Sequence, residues 1–169
     1  MTIDRVNLRA MEPEDLDLLY RIENDQQLWD VGATNVPYSR YVLHDYIATA
    51  TGDIYTDHQV RLIIENGDGE TVGLADITDF DAKNCRAEVG IVIAREHRQQ
   101  GYASQALRAI ADYALRILHL HQLYAVVDED NLSSLQLFRK AGFSEASRLA
   151  DWLYDGKKYH GAVLMQIFL

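Results

Sequence analysis

The chain has 169 residues, of which 48% are hydrophobic and 25% charged, the balance of a globular domain with one core rather than of a disordered segment. A formal net charge of −10 argues against a nucleic-acid partner and suits a cationic one, although acidity that serves only solubility accounts for it more simply. No apolar run approaches the roughly 20 residues of a membrane span, MTIDRVNLRAMEPEDLDLL lacks a signal peptide's apolar centre, and the single Cys85 can form no internal disulfide, so a cytoplasmic protein without a membrane partner is expected.

VNLRAM, residues 6 to 11, reads as a first strand. EPEDLDLLYRIEND follows as a helix, with Pro13 near its start, acids in the first turn and apolar residues at Leu16, Leu19, Tyr20 and Ile22. Residues 27 to 40 contain Gly32 and Pro37 and show little periodicity, so they read as a loop, and YVLHDYIATAT reads as a second helix. From Val60 the period shortens. VRLIIE and TVGLADITDF are strands joined by NGDG, in which Asn66-Gly67 predicts the positive φ angles of a tight hairpin turn. CRAEVGIVIA, residues 85 to 94, is a further strand, buried towards its apolar end.

REHRQQGYASQAL comes next and leads into a third helix, with Leu107, Ile110, Ala111, Ala114, Ile117 and Leu118 at spacings of three and four. HQLYAVVD is a strand. NLSSLQLFRKAGF, residues 131 to 143, is a fourth helix, with Asn131 able to cap its start, Gly142 suited to the left-handed position after it and Phe143 able to fold back on Phe138. Strands near 146 to 154 and 158 to 168 flank the hairpin signal Asp155-Gly156. The expectation is a single mixed α/β domain over residues 1–169, its central sheet of six to seven strands mostly antiparallel and flanked by about four helices.

The stretch around Gly101 carries the first chemical signal. A buried strand runs into a turn and the turn into a helix, whose leading N–H groups lack intrahelical partners and lie at the positive end of the dipole. A pyrophosphate satisfies both deficits, and glycine lets the backbone approach it. The competing reading is a turn that only reverses the chain, since the Walker and dinucleotide glycine spacings are absent. Arg98 is then either a charge-assisted contact or a plain surface arginine.

RQQGYA resembles the R/Q-x-x-G-x-G/A loop of the GNAT superfamily of acetyl-coenzyme A-dependent N-acetyltransferases, with Ala103 in place of the last glycine. A second motif of that family, N-x-x-S-x-x-x-(Y/F)-x-K-x-G-F, is filled by Asn131, Ser134, Phe138, Lys140, Gly142 and Phe143. The likeness covers most of residues 60 to 168 and is nearest the spermidine and ribosomal-protein acetyltransferase branches.

The resemblance implies acetyl-CoA as cofactor and coenzyme A as product. It assigns the backbone of Ile91, Val92 and Ile93 to the pantetheine arm and that of Arg98, Gln99, Gln100, Gly101, Tyr102, Ala103 and Ser104 to the pyrophosphate. Asn131, Ser134 and Phe138 would lie near the pantetheine and thioester, although Asn131 is equally accounted for as a helix cap and the three strand residues as core. An aliphatic amine is protonated at neutral pH and must lose a proton before it attacks. Glu88 resembles the carboxylate that removes it in some members; the plain alternative is an outward-facing strand residue paired with a surface cation.

Many relatives protonate the departing sulfur with a tyrosine where this chain has Phe138, and a phenyl ring has no proton to give. Water, Tyr124 or Tyr159 would then take that role, or the chain binds coenzyme A with little turnover. The expected reaction is direct transfer of acetyl, in a ternary complex, to a primary amine of a polyamine-like small molecule or of a protein or peptide. Glu23, Asp25, Asp30, Asp45 and Asp155 would line the acceptor path, but VGATNVP lacks the acids that the spermidine branch carries before its loop proline. The resemblance also allows a homodimer. His119 and His121 have no carboxylate or cysteine cluster around them in sequence, so no metal is expected, and Cys85 reads as a packing residue.

Overall fold

A computed structural model of the chain describes residues 6–29 and 36–169. Seven strands form one sheet in the order β1-β2-β3-β4-β5-β7-β6, comprising β1 (Asn7–Ala10), β2 (Val60–Glu65), β3 (Thr71–Asp81), β4 (Arg86–Ile93), β5 (Gln122–Asp128), β6 (Ser144–Tyr154) and β7 (Tyr159–Phe168). Every neighbouring pair is antiparallel except β4 and β5. A parallel pair needs a crossover, and the long helix between these two strands supplies it. The described helices are α1 (Leu16–Glu23), α2 (Gln26–Trp29), α3 (Arg40–Thr49), α4 (Ile54–Asp57), α5 (Tyr102–Arg116) and α6 (Leu132–Lys140).

Two of the six exceed the expected four. The helices α2 and α4 have four residues each, one turn, which is too short to show a hydrophobic period. α2 also breaks the loop expected over residues 27 to 40, of which residues 30 to 35 lie outside the described part.

Strand alternation places the core on both faces of the sheet. Ile64 packs with Val72, Leu107, Ile110, Leu123 and Met165 on the face covered by α5 and α6. Its neighbour Ile63 points the other way, with Leu18, Leu19, Leu43 and Leu74 under α1 and α3. Each such side chain withdrawn from water stabilises the fold by about 1.5–3 kcal/mol. α5 buries Ala106, Leu107, Ile110 and Ala114 as its spacing predicts, whereas Ile117, read as part of that stripe, is 64% exposed where the helix ends.

The turns carry one correction. The hairpin after β2 forms, but its positive φ falls on Gly69 (78°) and not on Asn66-Gly67. Asn66 instead accepts the N–H groups of Asp68 (3.1 Å) and Glu70 (2.9 Å) through its side chain, an Asx turn that sets the loop without unusual angles of its own. The end of α6 follows expectation. Gly142 is left-handed (φ 98°), Phe143 N–H donates to Phe138 O at 3.0 Å, and the two rings meet edge to face at 5.0 Å.

Candidate active site

The site begins where two parallel strands part. β4 and β5 pair at only three positions, Arg86↔Gln122, Ala87↔Leu123 and Glu88↔Tyr124. β3 stays paired to the other side of β4 as far as Ile93. Alternate backbone groups of Ile91, Val92 and Ile93 therefore face the opening between β4 and β5, where no strand answers them. At the crotch the Glu88 side chain accepts the Val126 N–H at 3.3 Å.

Beyond Ile93 the chain makes a 3-10 turn, Arg95–His97, and then a tight loop with positive φ at both Gln99 (61°) and Gly101 (85°). Such reversals gather neighbouring N–H groups on one side. Gly101 is the residue before α5, and no side chain caps this helix. The first intrahelical bond there, Gln105 N–H to Gly101 O at 3.2 Å, leaves the leading amides of α5 directed outward. A Cβ built on Gly101 meets no protein atom within 4 Å, so its backbone angle, and not crowding, is what asks for glycine. Arg98 spends its Nε on Ile93 O at 3.0 Å, which ties the loop to the strand end.

α6 forms the opposite wall. Asn131 caps it by accepting the Ser134 N–H at 3.1 Å, as expected. Leu135 and Phe138 point into the core, and the other face turns towards the opening.

These elements enclose a cleft of about 650 Å³. Of the residues singled out in the sequence, it brings together Ile91, Val92, Ile93, Arg98, Gln99, Gly101, Tyr102, Ala103, Ser104, Asn131 and Ser134. Three others are not on its walls. Gln100 turns back to donate to Glu96 O at 3.1 Å, Phe138 is 5% exposed within the core, and Glu88 sits deeper, at the crotch. Sequence reasoning missed Ser133, Gln136 and Leu137 and named Lys140 only as part of the second motif, yet all four line the cleft. They recur at spacings of three and four on α6, a periodic signal that was there to be read.

Glu88 is half-buried. Burial raises the pKa of its carboxyl above the ordinary value, Asp79 nearby adds to the rise, and the Val126 N–H opposes it. Tyr124, its partner across the ladder, has a phenol pushed up by burial and by the same two acids. Tyr159 stands apart on the β6–β7 hairpin, 63% exposed and 4.9 Å from the Tyr154 ring.

A second cleft of about 380 Å³ adjoins the first, sharing Leu28, Val92, Ile93 and Arg98 with it and reaching Tyr20, Arg21, Asn24 and Asp25 of the α1 region. The acids expected on the acceptor path are dispersed. Asp25 lines this cleft and is bound by Arg95 at 3.0 Å. Glu23 pairs with Arg61 beneath α1, Asp45 is exposed on α3, and Asp155 belongs to the hairpin tip, where it meets His160 at 2.7 Å. Asp30 lies outside the described residues.

His160 joins Asp128 and Asp130 in a group whose ligand atoms lie within 4.8 Å of one another, a grouping the sequence did not reveal. Both ring nitrogens face carboxylates, Nε2 with Asp155 at 2.7 Å and Nδ1 with Asp130 at 3.4 Å, an arrangement that suits a charged imidazole.

Comparison with known proteins agrees with this geometry. A family profile described as an acetyltransferase (GNAT) domain matches residues 5–144. The spermidine N(1)-acetyltransferase of Escherichia coli K12 is 30% identical over 168 residues, covering 96% of this chain and 86% of its own. The crystal structure of spermidine N-acetyltransferase from Vibrio cholerae in complex with CoA and spermine superposes with a TM-score of 0.85 at 26% identity, covering 97% of this chain and 95% of that one. A structure of the Vibrio cholerae enzyme described as dodecameric gives 0.81 at 25% identity, over 97% of this chain and 94% of that one. A forked parallel strand pair beside an uncapped helix start, in a chain matched over most of its length, makes this protein a member of the GNAT acetyltransferase family, an enzyme that uses acetyl-CoA to acetylate an amine.

Proposed function

We propose that the amine is a polyamine-like small molecule and that Glu88 is the general base. The observation that carries the reading is the junction itself: the β4–β5 fork opens at Glu88, and the strand end beyond it, Ile91 to Ile93, lines one cleft with the uncapped start of α5. The leading amides of α5, with those of Arg98 to Gly101, would hold the diphosphate, because unpaired N–H groups at the positive end of a dipole suit that anion. The exposed main chain of Ile91 to Ile93 would pair with the amide-bearing pantetheine arm, and the polar face of α6 would close over it. Acetyl-CoA supplies the acetyl group as a thioester, whose carbonyl carbon the amine nitrogen attacks as the carbon–sulfur bond breaks and the thiolate leaves.

Within that frame Glu88 removes the proton of the attacking amine, directly or through one water. A half-buried carboxyl with a raised pKa is a stronger base than a free one. Phe138 lies in the core and offers no proton, so the sulfur leaves as a thiolate and takes its proton from solvent. That is tolerable chemistry for a thiol whose pKa is roughly 8.5.

The amine would approach through the smaller cleft beside Tyr20, Asn24 and Asp25. Support for a polyamine comes from the relatives named for spermidine and from the net charge of −10. The long exposed edge strand β6 and the dodecameric relative support self-assembly. Release of coenzyme A thiol from acetyl-CoA, measured with spermidine, spermine, a lysine peptide and free amino acids, tests the reading. Turnover highest with the polyamines is expected. Equal or greater turnover with the peptide or the amino acids overturns the substrate assignment.

A further inference from the structure

β3 carries a bulge where it passes the end of β4. On its β2 side Ile64 pairs with Gly73 and the next pair is Glu65 with Thr71, so Val72 is left over. The alternation of side chains breaks there too. Val72 and Ala75 share the α5 face although they are three residues apart, while Leu74 faces α1. On the other side of β3 the ladder to β4 keeps its register, with Leu74↔Val92 and Gly73↔Ile93, and the Ala94 N–H donates to Val72 O at 2.9 Å.

Gly73 is buried at the point of closest approach between these strands. A Cβ built on it would stand 2.3 Å from Val92 O and 3.1 Å from Ile93 Cα, both main-chain atoms. Crowding, and not a positive φ, is what asks for glycine here, the reverse of Gly101. Relief of such an overlap would be one-sided. β3 is laddered to β2 and to β4, whereas beyond Glu88 β4 is laddered to β3 alone. A side chain at position 73 would therefore displace the less restrained strand, by roughly 1 Å if carbon and oxygen are to regain van der Waals separation. The open direction for that movement is the fork. We propose that Gly73 is a positioning residue for coenzyme binding: having no side chain, it lets β3 draw the end of β4 to itself and so holds Ile91 to Ile93 clear of β5, leaving a slot for the pantetheine arm that exists before the coenzyme arrives.

This inference rests on the reading of Ile91 to Ile93 as the wall that pairs with the pantetheine arm, and the test distinguishes the two. Calorimetric titration compares coenzyme A with ADP-3′-phosphate, its nucleotide half without the arm. Gly73→Ala is expected to weaken coenzyme A about tenfold and the nucleotide less than about twofold, because the arm meets the displaced strand and the diphosphate does not. A general loss of structure would weaken both ligands alike, so equal losses, or none, overturn the inference. Amide exchange in the wild-type chain decides the matter where the variant does not fold. The Ala94 N–H should be protected in the free protein, and exchange at an unprotected rate until coenzyme A is added overturns the inference. A wild-type chain that binds coenzyme A no more tightly than the nucleotide overturns the pantetheine assignment and the inference with it.

Discussion

Glu88 Oε1 accepts the Val126 N–H at 3.3 Å, two residues past the last rung of the β4–β5 ladder. The side chain thus pairs a main-chain donor that the parting of the strands would otherwise leave without an acceptor. One carboxylate props the fork and is also the proposed base, and substitutions separate these roles. In Glu88→Gln the amide oxygen still accepts from Val126, so melting temperature and coenzyme affinity should hold while kcat falls by ~10²–10⁴, the usual worth of a general base. Glu88→Ala should add a stability loss of about 1 kcal/mol for the stranded donor. Steady-state kinetics beside thermal melts check both.

Gly101 offers a second separation. Its φ of 85° lies in the left-handed region that favours glycine, and a Cβ there meets no protein atom within 4 Å. Asparagine tolerates that region, whereas valine in it costs about 1–2 kcal/mol. Gly101→Val should relax the free loop to a negative φ, and binding must then restore the strained form. Coenzyme A affinity is therefore expected to fall about tenfold further in Gly101→Val than in Gly101→Asn, since tenfold corresponds to about 1.4 kcal/mol. Calorimetric titration of both variants measures this, and equal affinities would mean that the angle is irrelevant to binding.

How far the sequence carried this site depends on the range of each signal. Asn131, Gly142 and Phe143 were legible because a helix cap and its return contact are settled within a few residues. The loop ending at Gly101 was legible as a strand-to-helix turn with a glycine, and family resemblance raised it above an ordinary one. The fork was not legible. Whether two distant strands pair for three rungs or seven is decided by tertiary packing, and no local pattern records that. The same limit applies to Phe138. Motif position placed it beside the thioester, but packing against Phe143 turns its ring into the core. The acids expected on the acceptor path follow from the entry that the resemblance implies, between the first two helices and the last hairpin, and the arginine partners of two of them, Arg61 for Glu23 and Arg95 for Asp25, come from β2 and from the loop after β4.

Arg61 joins Glu23 of α1 to a second acid, Asp76 of β3, with Nε 2.6 Å from Asp76 and a further ion pair to Glu23, and it lies under the Tyr46 ring at 5.7 Å. Burial opposes its charge, yet Asp76 and Glu23 hold the guanidinium proton above its ordinary strength. Removing one member of such a group leaves like charges with no counterion in a poorly solvated place. Arg61→Ala is expected to cost about 3 kcal/mol in urea unfolding. Arg61→Lys should recover only part of this, because an ammonium cannot bridge both acids with a planar fork. A loss below about 0.5 kcal/mol for Arg61→Ala would show that solvent screens the group as it does an ordinary surface pair.

His160 and Asp155 give the hairpin a pH dependence whose sign follows from two opposite shifts. The Asp155 hydrogen bond raises the pKa of His160, burial of the ring opposes the rise, and Asp130 and Asp128 add to it while Lys158 counters it. His160 in turn holds the Asp155 carboxyl far below the usual carboxylate range, helped by the Lys158 and Lys157 amides, which donate to its Oδ1 at 2.8 Å. A raised histidine pKa stabilises the folded hairpin fully below the unfolded value, roughly 6.5, and that contribution is lost as pH climbs through the folded value. A lowered aspartate pKa stabilises it above roughly 3.9, and that contribution is lost as pH falls through the depressed value. The pair therefore secures the β6–β7 turn between about pH 4 and 6.5 and releases it on the alkaline side. Ring-proton NMR should place the His160 midpoint above 6.5, with the Lys157 and Lys158 amide shifts following the same curve. In Asp155→Asn the midpoint should drop towards the ordinary histidine value. A midpoint that stays put would instead assign the raised pKa to Asp128 and Asp130 at the end of β5.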